Sequence, residues 1–182
     1  MVITLIGYRG SGKSSIAPRL AQRLGWNWID SDRVIEERAG CSIRRIFETE
    51  GEVGFRQRES EVLAELLQRD QLVLASGGGA ILTEQNRSII KAAGPVVWLH
   101  ASVQALAKRL SRDRSAGENR PSLTGRPIEE EVAEVMAIRE PLYRECATII
   151  VDSEREWPDQ VARRIARQIH RPPQEHAAGD NR

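Results

Sequence analysis

Gly7-Tyr8-Arg9-Gly10-Ser11-Gly12-Lys13-Ser14 fits the pattern G-x-x-x-x-G-K-[ST], and its surroundings fit as well. The run at 2–6 is short, apolar and β-branched, which predicts a buried strand. After the stretch, Ile16, Leu20 and Leu24 recur at helical spacing, with Ala17 and Ala21 between them. A strand, a glycine-rich turn and a helix N-terminus make a phosphate cradle. The glycines permit backbone turns that a Cβ would block, and the N–H groups close around phosphate oxygens. The helix end adds unpaired donors and partial positive charge. In this chemistry Lys13 reaches the β- and γ-phosphates, and Ser14 ligates Mg²⁺. The pattern predicts a nucleotide phosphate site over Gly10, Ser11, Gly12, Lys13, Ser14 and Ser15, and leaves the second substrate open.

Composition narrows the class. The chain has 182 residues, enough for one domain with a sizeable core, and is 40% hydrophobic and 29% charged. A net charge of +1 gives no electrostatic case for nucleic acid or a membrane surface. Lysine occurs only at 13, 91 and 108, so one of the few lysines falls at the phosphate-loop position. Cys41 and Cys146 are too few for a disulfide framework or metal cluster. The opening residues lack a basic n-region and cleavage site, and the apolar run is too short to span a bilayer. The expectation is a cytoplasmic enzyme.

Further along, 26–29 reads as a second strand running into Asp30-Ser31-Asp32. Carboxylates at the C-terminal end of such a strand sit where open α/β sheets hold ligands. One reading gives Mg²⁺ to one of them and a substrate hydroxyl to the other; the alternative is that Asp30 or Asp32 caps the helix expected over 33–39. Ser42 is placed to cap a short helix with Ile43, Ile46 and Phe47. A loop punctuated by Gly51 and Gly54 and a helix over 55–67 follow. Within that helix Arg56 and Glu59 are either a surface i,i+3 pair or an anion fork and its orienter. A third strand at 72–75 ends in Ser76-Gly77-Gly78-Gly79, a triplet that predicts close backbone approach to a ligand. Strands at 95–99 and 147–151, and helices at 84–93, 101–110, 127–145 and 158–169, complete the alternation. Pro141 is expected to kink the helix near Arg139. The charged, aperiodic stretch at about 111–125 reads as a mobile lid, with Arg120 before Pro121 as the residue to swing over the phosphates. Residues 1–170 read as one domain and 171–182 as a disordered tail. Five alternating strand and helix units imply an α/β fold, a doubly wound five-stranded parallel sheet with helices on both faces.

Taken jointly, the phosphate loop, Asp30-Ser31-Asp32, Gly51-Glu52 with Phe55-Arg56-x-x-Glu59, Gly77-Gly78-Gly79, Arg120-Pro121 and Arg139-x-Pro141-Leu142-Tyr143 resemble shikimate kinase, in order and rough spacing over 1 to about 170. The resemblance implies a nucleoside-monophosphate-kinase-like fold and transfer of the ATP γ-phosphate to the 3-hydroxyl of shikimate. It implies that Asp30 contacts the magnesium shell and that Asp32 binds the acceptor hydroxyl as a base. It further implies that Arg56 and Arg139 grip the shikimate carboxylate and that Gly78, flanked by Gly77 and Gly79, offers a backbone N–H. By the same resemblance Arg120 is the lid arginine, Arg109 packs on adenine, and the enzyme is a monomer. The alternatives are a kinase of gluconate or another small hydroxy acid, and a nucleotide-binding module without catalysis.

Overall fold

The structure, a computed structural model, describes residues 1–112 and 127–169. Apart from Ser111 and Arg112, the lid expected at 111–125, with Arg120, lies outside the described residues, as does the tail at 171–182.

Strand β1 (Val2–Ile6) leads through the glycine-rich turn into α1 (Lys13–Leu24). Then come β2 (Asn27–Asp30), α2 (Ser31–Ala39), α3 (Ile43–Leu66), β3 (Leu72–Ala75) and α4 (Glu84–Ala93). The chain continues through β4 (Val96–His100), α5 (Val103–Arg112), α6 (Ile128–Cys146), β5 (Ile149–Asp152) and α7 (Pro158–Ile169). The five strands form one parallel sheet in the order β2-β3-β1-β4-β5.

The period-2 alternation of the strands feeds two cores. Val2, Ile6, Leu72, Leu74, Val96 and Trp98 face one side, where α3, α4, α5 and α6 supply partners such as Leu63, Ile90, Leu106 and Tyr143. Ile3, Leu5, Val73, Val97, Leu99 and Val151 face the other, against Ile16 and Leu20 of α1 and Val161 and Ile165 of α7. Strands covered on both faces read as near-continuous apolar runs, which is why 2–6 and 72–75 were recognisable as strands.

Register decides where the site lies. Ala75 pairs with both Leu5 and Asp30, so β1, β2 and β3 end level with one another. The phosphate loop, the Asp30–Asp32 turn and the glycine triplet therefore leave the sheet along one edge, at the carboxyl ends of the strands.

One expectation about helices changes. Residues 43–66 are helical throughout except at Gly51, whose φ of 70° and ψ of −175° break the run. Gly54 is helical, so the expected loop shrinks to a kink at Gly51 between the short helix and the longer one. α6 runs on through Pro141 to Cys146.

Candidate active site

Gly12 caps α1 in the left-handed region (φ 100°), leaving the first N–H groups of the helix facing the turn. At Gly7 (φ 140°) a Cβ would stand 2.8 Å from the carbonyl oxygen of Leu99, so the loop lies too close to β4 for a side chain there. Lys13 folds back across the loop: its Nζ donates to the carbonyls of Gly7 (2.7 Å) and Tyr8 (2.9 Å) and to Ser11 Oγ (3.3 Å).

The Asp30 carboxylate has two partners. Oδ1 accepts from the Asp32 N–H at 3.0 Å, capping α2, and Oδ2 accepts from Ser14 Oγ at 2.7 Å. Capping and the proximity to Ser14 are thus not alternatives. α2 starts at Ser31, earlier than the helix expected from 33, so Asp32 stands in its first turn.

Asp32 reaches the glycine triplet. A Cβ on Gly77 would lie 2.8 Å from Asp32 Oδ1 and 2.6 Å from Glu59 Oε1, and one on Gly79 would lie 2.6 Å from Arg56 Nη2. None of the three glycines has positive φ. Gly77 and Gly79 are glycines because charged side chains from α2 and α3 fill the space that their Cβ atoms would take, whereas a Cβ on Gly78 would face the backbone of the phosphate loop, 3.4 Å from the Gly7 carbonyl oxygen. The Ser31 hydroxyl accepts from the Gly77 N–H at 3.0 Å, fixing the triplet to α2.

The Arg56–Glu59 pair is not a surface pair. Glu59 is 1% exposed and its Oε2 accepts from Arg56 Nη1 at 2.6 Å, while Glu52 takes Nη2 at 3.2 Å. The guanidinium lies over the Phe55 ring, which stacks on Phe47. Two carboxylates and a ring face orient this cation. From the other flank, Arg139 Nη1 donates to the Gly78 carbonyl at 3.2 Å, and Tyr143, one helical turn on, donates its hydroxyl to the same oxygen at 2.5 Å. Burial pushes the Tyr143 phenol far above its ordinary range, against the opposing effect of Arg139, so it stays a donor.

A cleft of about 840 Å³ runs along the loop from Asp32 and Gly78 to Arg109 and Trp157. Gly10, Ser11, Gly12, Lys13, Ser14 and Ser15 line it. Arg109 is pinned by carbonyls: Nη1 donates to Gly10 (3.1 Å) and Nη2 to Ser153 (2.6 Å). Arg56 and Arg139 are not part of that wall; they lie against Gly79 and Gly78.

The structure thus brings the loop, Asp30, Asp32, Arg56, the triplet and Arg139 to one edge, with Arg109 at the far end of the cleft. Ser31 and Tyr143 were missed as site residues, although the motif containing Asp30 and the i,i+4 spacing from Arg139 both pointed at them.

This arrangement is chemically asymmetric. One side is a nest of N–H donors with a lysine, suited to a polyphosphate. The other side offers carboxylates beside two guanidiniums, suited to a small molecule carrying both hydroxyls and an anionic group.

The comparisons with known proteins converge on one family. The family model described as "Shikimate kinase" matches residues 9–170. A shikimate kinase of Rhodopirellula baltica is 48% identical over 157 residues, covering 86% of this chain and 84% of its own. One from Pseudomonas aeruginosa (strain LESB58) is 42% identical over 171 residues, covering 94% and 97%. Among solved structures, a shikimate kinase from Acinetobacter baumannii in complex with shikimate superposes with a TM-score of 0.87 at 42% identity, over 92% of both chains. With the phosphate loop, the parallel sheet and these matches in agreement, the chain belongs to the shikimate kinase family.

Proposed function

We propose that the chain transfers the γ-phosphoryl group of ATP to the 3-hydroxyl of shikimate, with the triplet edge as the acceptor site. The observation that carries this reading is the packing of Asp32, Glu59 and Arg56 against Gly77 and Gly79, which puts a hydroxyl acceptor and an oriented guanidinium beside the phosphate loop.

Asp32 accepts the hydroxyl hydrogen. As the hydroxyl oxygen bonds to the γ-phosphorus, the bond to the β-phosphate oxygen breaks, the proton passes to the carboxylate and ADP leaves. Arg56 and Arg139 hold the acceptor's carboxylate, and the Gly78 N–H meets its ring substituents. This pairing fixes which end of shikimate faces the phosphates, and alignment supplies most of the rate. Lys13 exchanges its contacts with the loop carbonyls for phosphate oxygens. Arg109 lies along the base. Arg120 neutralises charge on the transferring group, an assignment that rests on sequence. Ser14 Oγ and Asp30 Oδ2 are hard oxygen donors 2.7 Å apart, a type that suits Mg²⁺, which uses few protein ligands. Bound there, Mg²⁺ supplies further charge neutralisation on the phosphates. The reading treats 1–170 as one kinase domain with its lid at about 111–125, monomeric and cytoplasmic. Among the described residues, no helix is long and apolar enough to cross a membrane.

Calorimetric titration of shikimate into the wild-type protein and Arg56→Ala tests the site. The variant is expected to bind about tenfold to a hundredfold more weakly, from the loss of a charge-assisted pair of about 1.5–3 kcal/mol. Equal affinity would reject Arg56 as part of the carboxylate grip.

A further inference from the structure

Tyr8 and Arg9 occupy variable positions of the G-x-x-x-x-G-K-[ST] pattern, so phosphate binding does not explain them. Both face the acceptor side. Tyr8 is 2% exposed and belongs to the core shared with α3 and α6. Its ring has two guanidinium neighbours: the Arg9 carbon lies 5.7 Å from the ring centroid and the Arg139 carbon 5.8 Å, both within cation–π range. The Tyr8 hydroxyl has no hydrogen-bond partner among the described residues, and it is the ring that meets the two guanidiniums.

The loop and the acceptor wall meet here in the backbone as well. A Cβ on Gly78 would lie 3.4 Å from the Gly7 carbonyl oxygen and 3.5 Å from the Arg9 nitrogen. Gly78 is also the residue whose carbonyl takes Arg139. Arg9 pairs with Glu131, which is 2% exposed and lies about two turns before Arg139 on α6. Residues 8 and 9 of the phosphate loop therefore touch α6 at two heights. Arg56 is oriented by carboxylates, Glu52 and Glu59, whereas the neighbours that Arg139 meets among the described residues include the Gly78 carbonyl, the Tyr143 hydroxyl and the Tyr8 face.

We infer that Tyr8 is a positioning residue for the acceptor: its ring face sets the orientation in which Arg139 grips the acceptor's carboxylate, so the nucleotide loop itself determines part of the acceptor affinity. This rests on the assignment of Arg139 as a carboxylate clamp.

The test is a double-mutant cycle on acceptor KM and ATP KM with wild type, Tyr8→Phe, Tyr8→Leu, Arg139→Ala and the Tyr8→Leu/Arg139→Ala pair. Tyr8→Phe is expected to keep the acceptor KM within about twofold, because the ring is retained. Tyr8→Leu is expected to raise it about fivefold with little change in ATP KM. In the Arg139→Ala background the leucine is expected to add nothing further. If Arg139→Ala leaves the acceptor KM unchanged, the clamp assignment falls and the inference falls with it. If Arg139→Ala raises KM but the leucine effect adds in full on top, Tyr8 acts through packing alone and only the inference is overturned. A phenylalanine variant as impaired as the leucine one would also overturn it. Should Tyr8→Leu not fold, Tyr8→Met runs through the same cycle with the same expectations.

Discussion

The two oxygens of Asp30 serve separate partners, one capping α2 through the Asp32 N–H and the other accepting from Ser14. The cap fixes where α2 starts, and so aims the carboxylate of Asp32, in its first turn, at Gly77. If Asp32 takes the proton, Asp32→Asn keeps the shape and removes the base. The expected result is a kcat about a hundredfold to ten-thousandfold lower with ATP KM near the wild-type value, read from steady-state kinetics. An unchanged kcat would exclude the role. The triplet gives a second residue-scale outcome. Gly79→Ala places a methyl group 2.6 Å from Arg56 Nη2, so the guanidinium has to move. Acceptor KM should rise about tenfold, on the scale of a disturbed charge-assisted bond, with ATP KM little affected. From sequence, three adjacent glycines signalled a close approach. They did not signal what approached, because Asp32, Arg56 and Glu59 come from other elements and only the tertiary fold brings them there.

At the scale of the element, α3 turns on Gly51. Its φ of 70° with ψ of −175° is a region open essentially to glycine alone, and nothing lies within 4 Å of where a Cβ would go. The constraint is therefore in the backbone and not in packing. Gly51→Ala is expected to lower unfolding free energy by about 1–3 kcal/mol in denaturant titration. A change within a few tenths of a kcal/mol would show that the break is not held by the conformation of Gly51. This break sets the direction in which the following turns carry Arg56 and Glu59. Reading the sequence found both glycines but treated them alike, since φ is not encoded in a residue name. Two helices with apolar stripes have the bounds expected from the sequence, α4, which the structure shows capped by Thr83, and α7, which begins at Pro158. α5 runs from Val103 to Arg112 against an expected 101–110, because Ser102, whose Oγ accepts from the Ala105 N–H, is its cap, whereas the expected range takes it into the helix.

At the scale of the whole molecule, the sheet order β2-β3-β1-β4-β5 places the phosphate loop after the central strand, with the acceptor elements beside it on the β3 and β2 side. The alternation of apolar runs made the parallel α/β architecture legible in the sequence. The strand order was not legible, since adjacency depends on how the crossover helices pack against one another. The nature of the Arg56–Glu59 pair was hidden for the same reason: spacing along a helix does not reveal whether that face meets solvent or a glycine wall. Only burial to 1% exposure at Glu59 separates the two. The architecture puts a loop of N–H donors and a cluster of carboxylates and guanidiniums along a single edge, and the central claim is that the nucleotide's phosphates fill the first and shikimate the second. Release of ADP by the purified chain supplied with ATP, Mg²⁺ and either shikimate, gluconate or no acceptor tests that claim most directly. The account predicts a rate that depends on shikimate and saturates with it, with gluconate at the level of the acceptor-free control. A rate independent of shikimate, or one that gluconate supports equally well, would contradict it.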